Sequence, residues 1–219
     1  MSLDTQPASI SEARNRILDE IGADVTLIAA SKRQPDDRIE AALMAGQRVF
    51  GENRVQEAQA RWSARRESYP DLQLRLIGPL QTNKAEDAVR AFDVIETLDR
   101  EKLLHALIKA VAKTGAAAPD LLIQVNTGDE PQKGGVSIAD LPQLLSEAMG
   151  SYPGQVVGLM CIPPAAEPAA PHFALLKQLA DSAGLPHVSM GMSGDYQLAA
   201  RLGATHVRVG TALFGARES

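Results

Sequence analysis

With Cys161 as its only cysteine, this chain of 219 residues can form no intramolecular disulfide and no cysteine-rich metal site. Basic residues are not in excess either. Lys and Arg number 22 against 27 Asp and Glu, a formal net charge of −5, which argues against a nucleic-acid binder, whose surface is usually basic. The cluster Arg61, Arg65 and Arg66 sits on a helical pattern beside Glu57 and Glu67 and reads as a solvated helix face. No apolar run approaches the ~20 residues of a membrane span, and the opening, Met1 to Ser9, is polar and short of basic residues. A cytoplasmic protein is expected.

What is present is an ordinary globular composition, 45% hydrophobic and 22% charged, in a chain long enough to bury a core without staples. Short apolar runs alternate with longer amphipathic ones from end to end. The strand candidates are Val25–Ala30, Arg48–Gly51, Gln73–Gly78, Asp93–Glu96, Leu121–Asn126, Val156–Cys161, His187–Gly191 and His206–Gly210. Helical patterns fill the intervals, near 36–46, 53–67, 82–91, 99–115, 138–149, 168–183 and 194–202, and another precedes the first strand at 9–21. Gly46, Gly115, Gly184 and Gly203 stand where left-handed C-caps are expected, and Asp99 is the expected N-cap of its helix. Continuously apolar strands alternating with helices imply a parallel sheet covered by helices. Eight such units without an obvious edge strand predict a closed α/β fold, a (β/α)8 TIM-type barrel with an extra N-terminal helix; a doubly wound open sheet is the alternative. With no linker or repeat, residues 1–219 are expected to form a single domain.

A barrel of this kind keeps its active site at the C-terminal ends of the strands. That mouth receives Lys32, Glu52, Asn53, Gln81, Asn83, Lys84, Asn126, Met160, Ser193, Arg208 and Thr211. His187 and His206 begin strands and fall at the opposite end, while His105 and His172 ride on helices, so neither a metal cluster nor a histidine base assembles at the mouth. Two segments suit a phosphate: Ser189-Met190-Gly191-Met192-Ser193-Gly194-Asp195 after strand 7, and Arg208-Val209-Gly210-Thr211-Ala212-Leu213-Phe214-Gly215 after strand 8. Barrels often bind phosphate there. Glycine lets the backbone approach the anion, free N–H groups stabilise it, and Ser193 and Thr211 add hydroxyl donors. The same glycines would also serve tight turns. Their occurrence after both of the strands that usually build such a site favours the phosphate.

Lys32 emerges where the run Leu27-Ile28-Ala29-Ala30-Ser31 reaches the mouth. Desolvation there would lower its pKa from the reference ~10.4 and make a free amine available as a nucleophile. A lysine so placed serves equally well as a simple phosphate-binding charge, and the residue alone does not choose. Met160, Met190 and Met192 come at strand ends around the mouth, where barrel packing accounts for them.

Taken together, Ala30-Ser31-Lys32, Phe50-Gly51-Glu52-Asn53 with Val55-Gln56-Glu57, Ile77-Gly78-Pro79-Leu80-Gln81-Thr82-Asn83-Lys84, Gly158-Leu159-Met160, and the two segments after strands 7 and 8 resemble the pyridoxal phosphate homeostasis protein family. That family shares its barrel with the N-terminal domain of alanine racemase. The likeness runs from about residue 10 to the C-terminus, in register and in order. It implies pyridoxal 5′-phosphate as cofactor, held as an internal aldimine on Lys32. Ser193, Gly210 and Thr211, with Gly194 beside them, would hold the phosphate, Arg208 would face the pyridine nitrogen, and Asn53 and Met192 would line the pocket. No catalytic residue and no metal ligand is implied. The chain departs from the family pattern at Leu74-Arg75-Leu76, where Trp-His-Phe is usual, and at Gln34, where a second lysine often stands. Lys133 matches the position of a family lysine and reads as an exposed loop residue.

The resemblance implies a role in intracellular cofactor homeostasis and amino- and keto-acid balance rather than efficient catalysis, with pyridoxal phosphate-dependent apoenzymes as possible partners. A monomer is expected. Two alternatives stand beside it: a racemase of the alanine racemase type, and a barrel binding another phosphorylated metabolite. Two-base racemisation uses a tyrosine supplied through an additional β domain. The sequence ends at Ser219, just after the eighth unit; Tyr69 and Tyr152 precede prolines in helix-to-strand connections and fall at the opposite end, and Tyr196, near the phosphate loop but one turn into a helix, reads as packing.

Overall fold

The computed structural model describes residues 9–130 and 132–215. The polar run at 1–8 and the last four residues of the expected 1–219 domain lie outside the described residues. After helix α1 (Ile10–Ile21) come β1 (Thr26–Ala30), α2 (Asp36–Met44), β2 (Val49–Glu52), α3 (Val55–Ser68), β3 (Gln73–Leu76), a 3₁₀ turn (Thr82–Lys84), α4 (Ala85–Ala91) and β4 (Val94–Leu98). The second half continues with α5 (Glu101–Thr114), β5 (Asp120–Gln124), α6 (Leu141–Ser151), β6 (Val156–Met160), α7 (Ala169–Ser182), β7 (His187–Ser189), α8 (Tyr196–Arg201), β8 (His206–Val209) and α9 (Thr211–Phe214).

The eight strands pair in parallel and in chain order, and β8 returns to β1 through Thr26↔His206 to Ala29↔Val209, closing the barrel. The open-sheet alternative is thereby set aside. β3, β5, β6, β7 and β8 end one or two residues before the apolar runs suggest, because those residues leave the ladder for the mouth loops, whereas β1 ends at Ala30 as expected and β2 and β4 run on to Glu52 and Leu98. The helix starts are set locally. Ser9 caps α1 in a reciprocal pair with Glu12, each side chain accepting from the other's backbone N–H at 3.2 and 2.8 Å. Gly46, Gly115, Gly184 and Gly203 all take positive φ, between 64° and 90°, as helix ends require. Asp99 does not cap α5: Arg100 holds the N-cap position, and the Asp99 carboxylate is engaged by the Arg100 guanidinium instead.

Alternation along each strand sends one set of side chains outward and the other into the barrel. The outward set, including Leu27, Phe50, Leu74, Ile95, Leu121, Leu159 and Val207, packs with the inner faces of the helices into the main core. Inside the barrel, Val94, Leu122 and Met160 form a smaller apolar cluster. Met160 is fully buried in that cluster, and so is Met190 in the main core, rather than ringing the mouth. Beside that cluster the interior carries Ile28, in register with Arg208, and one hydrogen-bonded polar set of Arg75, Glu96, Ser189 and Arg208.

Candidate cofactor site

The eight residues singled out in the sequence line one cavity of about 280 Å³ at the C-terminal ends of the strands. They are Lys32, Asn53, Met192, Ser193, Gly194, Arg208, Gly210 and Thr211, joined by Ala30, Gln34, Ile77 and Ile162. Its volume lies near the lower end of small-molecule sites. The remaining mouth residues go elsewhere. Gln81 and Lys84 line a neighbouring cavity with Arg54 and Arg100, to which Asn53 also contributes. Asn126 is committed to its own loop, donating to the Glu130 carbonyl at 2.9 Å, and Lys133 pairs with Glu130 at 2.6 Å.

Lys32 rides on a tight turn. The Ser31 amide donates to the Gly51 carbonyl at 3.0 Å and the Gln34 amide returns to the Ser31 carbonyl at 3.0 Å. Arg33 between them takes φ 57°, a conformation that a non-glycine residue holds only where its surroundings impose it. The surroundings are explicit. Arg61 on α3 donates from Nη1 to the Ser31 carbonyl and from Nη2 to the Gln34 carbonyl, both at 2.9 Å, so one guanidinium grips the two flanks of the lysine. Its Nη1 also meets Glu52 Oε1 at 3.0 Å, and the same buried oxygen accepts from Ser31 Oγ at 2.8 Å and Trp62 Nε1 at 3.0 Å.

Arg61 is therefore no member of a solvated face. Helical periodicity gave the side from which it projects, but could not show that two backbone carbonyls wait at its tip. Glu52, placed at the mouth from the sequence, turns outward beneath α3 and acts on the lysine turn from behind. Arg66, likewise, is engaged, with Asp93 at 2.7 Å.

The opposite wall is made by the loops after β7 and β8. Ser193 Oγ accepts from the amides of Gly210 at 3.1 Å and Ala212 at 3.2 Å, tying the two loops together. Asp195 Oδ1 accepts from the Met192 amide at 2.6 Å and fixes the first of them. Gly191 allows the turn: its φ is 89°, and a Cβ there would lie 2.5 Å from Ala199 Cβ. Among the described residues the amides of Ser193, Gly194 and Thr211 donate to no acceptor, and a Cβ on Gly194 would meet nothing within 4 Å. Three backbone donors beside open space form a cradle for an anion.

Arg208 forms the floor. Its Nη1 donates to Ser189 Oγ at 2.8 Å and its Nη2 to the Cys161 carbonyl at 2.7 Å. The Cys161 thiol, buried beside it, is pushed up to about 12 by that burial, so it is no nucleophile at neutral pH. The cavity thus combines an amine on a constrained turn, an amide cradle across from it and a permanently charged floor. Such a set suits a phosphorylated, ring-bearing aldehyde such as pyridoxal phosphate.

Barrel and mouth together define the class of the alanine racemase N-terminal domain, whose profile matches residues 15–218. Within that class the chain belongs to the pyridoxal phosphate homeostasis protein family. The pyridoxal phosphate homeostasis protein of Aquifex aeolicus is 39% identical over 201 residues, 88% of this chain and 87% of that one. Its counterpart in Pseudomonas aeruginosa is 41% identical over 204 residues, 90% and 86% of the two chains. PipY of Synechococcus elongatus, solved with pyridoxal phosphate bound, superposes with a TM-score of 0.85 at 39% identity, covering 94% of this chain and all of that one. An alanine racemase from Clostridium difficile shares the fold alone, at 15% identity and a TM-score of 0.77 over 96% of this chain and 57% of its own.

Proposed function

We propose that this protein binds pyridoxal 5′-phosphate covalently, as a Schiff base at Lys32 Nζ, and acts as a carrier and buffer of the cofactor without efficient catalysis of its own. The observation that carries the reading is the convergence of Lys32, the Ser193–Thr211 cradle and Arg208 on one cavity. The solved complex of PipY with the cofactor, at 39% identity, supports it. Ser193, Gly194, Gly210 and Thr211 would take the phosphate, and Asn53 and Met192 would flank the ring. The protein would act as a monomer in the cytoplasm and pass the cofactor to apoenzymes; among the described residues no helix is long and apolar enough to cross a membrane.

When bound, the cofactor supplies an electrophilic carbon and, if its ring nitrogen is protonated, an electron sink. Arg208 cannot accept a proton, so at the floor it favours the unprotonated ring and the weaker sink. None of the three tyrosines lines the cavity to serve as a second base. Tyr196 hydrogen-bonds Glu20, Tyr152 donates to the Pro119 carbonyl at 2.8 Å, and Tyr69 lies beneath the Arg48 guanidinium.

The test is the visible spectrum of the purified protein with added pyridoxal phosphate, before and after borohydride, with mass mapping of the reduced adduct. An adduct on Lys32, lost in a folded Lys32→Ala variant, is expected. No band in the wild-type protein would leave the barrel to another phosphorylated metabolite. Rapid exchange of the α-hydrogen of L-alanine would instead revive the racemase.

A further inference from the structure

The barrel interior holds a charge arrangement that the cofactor cradle does not account for. Arg75 on β3, Glu96 on β4 and Arg208 on β8 are 2%, 0% and 4% exposed, and Ser189 on β7 joins them. Arg75 Nε donates to Glu96 Oε1 at 2.6 Å, and Ser189 Oγ donates to Glu96 Oε2 at 2.6 Å. Arg208 Nη1 donates to the same Ser189 oxygen at 2.8 Å. Arg75 is steadied by Gln73 Oε1 at 3.0 Å, and among the described residues its Nη2 has no partner.

A serine hydroxyl has one proton and two lone pairs. An ionised carboxylate can only accept, so the Ser189 O–H donates to Glu96 and keeps a lone pair aimed at Arg208. With a neutral partner the hydroxyl could turn the other way and meet the guanidinium proton to proton. Burial acts to raise the Glu96 carboxyl, but Arg75, Arg208 and Ser189 outweigh it and hold the group below the usual carboxylate range. Two cations against one anion leave a net positive charge in the closed interior, directly under the cavity floor.

We propose that Glu96 is a positioning residue for the cofactor: held in place by Arg75, it orders Arg208 against the pyridine edge through Ser189. The inference rests on the cofactor reading above. It makes the polar filling of the barrel part of the site, although neither Glu96 nor Ser189 lines the cavity.

Glu96→Gln would strand two guanidiniums in the interior, so the discriminating variant is Ser189→Ala, which leaves the Arg75–Glu96 pair in place. Three quantities are read: pyridoxal phosphate affinity, the absorption maximum of the bound cofactor, and affinity for inorganic phosphate, which needs the cradle alone. Loss of one charge-assisted bond should weaken pyridoxal phosphate binding about tenfold and move the absorption maximum, while phosphate affinity stays as in wild type. Unchanged cofactor affinity and spectrum would overturn the inference while the cofactor reading stands. Equal losses for both ligands would also overturn it, showing a general loosening. A wild-type protein that binds phosphate but no pyridoxal phosphate would bring down both.

Discussion

Replacing Arg61 by methionine keeps an apolar stem along α3 but removes the guanidinium that holds the lysine turn. Three hydrogen bonds go with it, to the Ser31 and Gln34 carbonyls at 2.9 Å and to Glu52 Oε1 at 3.0 Å. Glu52 is fully buried, with Oε2 lacking a partner among the described residues, so the substitution leaves a charge in the core without its counter-ion. Breaking a buried pair costs ~3–5 kcal/mol. The Arg61 side chain is 18% exposed, which places the expected loss at the lower end, about 3 kcal/mol. Urea unfolding monitored by circular dichroism measures it as a lower midpoint at unchanged slope. The double variant Arg61→Met/Glu52→Gln should recover a large part of the loss, because a neutral amide needs no counter-ion. A single-variant loss under about 0.5 kcal/mol, the value of an exposed helix position, would refute the clamp. A double variant no more stable than the single one would show that Glu52 is not what Arg61 compensates.

Burial pushes His206 down to about 3, with Arg75 adding to the effect. The unfolded chain therefore binds a proton that the folded one refuses between pH ~6.5 and ~3, and stability falls as pH falls through that window, by at most about 1.4 kcal/mol per unit from this group. Urea midpoints measured from pH 7 to 5 should show the slope, and His206→Gln should flatten it; an equal slope in the variant would assign it elsewhere. Gly78→Ala would place a Cβ 2.3 Å from the Asn53 carbonyl oxygen and 2.7 Å from its Cα. Backbone cannot yield there cheaply, so a loss of about 2 kcal/mol, roughly 6 °C in melting temperature, is expected by calorimetry. An unaltered melting temperature would contradict the close approach.

The barrel was legible because its strands are short apolar runs that keep regular company with helices, and the mouth followed from the rule that such runs end there. That is enough to bring Lys32, Asn53, Arg208 and the two glycine-bearing loops to one end. Sequence could not reveal what grips them. Arg61 lies 29 residues after Lys32, and its charge pattern suits solvent as well as it suits a carbonyl. Asp99 has the composition of a cap, yet its carboxylate turns to Arg100. Met160 ends a strand, but strand parity turns it into the interior. The interior network did leave a trace: Arg75 and Glu96 are isolated charges within apolar runs of consecutive strands. Arg75 pairs with Val94 in register, and Glu96, two residues on, shares that face. Opposite charges diagonal to one another on neighbouring strands are a pattern worth reading as a buried pair.

The two arginine devices differ in their access to dissolved ions. Arg61 shares Asp36 with Arg65, at 3.5 and 3.4 Å, and that carboxylate is 70% exposed. The Arg75–Glu96 pair sits where no ion can follow. Added salt screens the exposed Asp36 contact of Arg61, whereas the bonds of Arg61 to the two carbonyls and to buried Glu52, like the Arg75–Glu96 pair, are screened much less. The Asp36 contact is thus the salt-sensitive member of the Arg61 set, and its loss leaves the carbonyl clamp on the lysine turn in place.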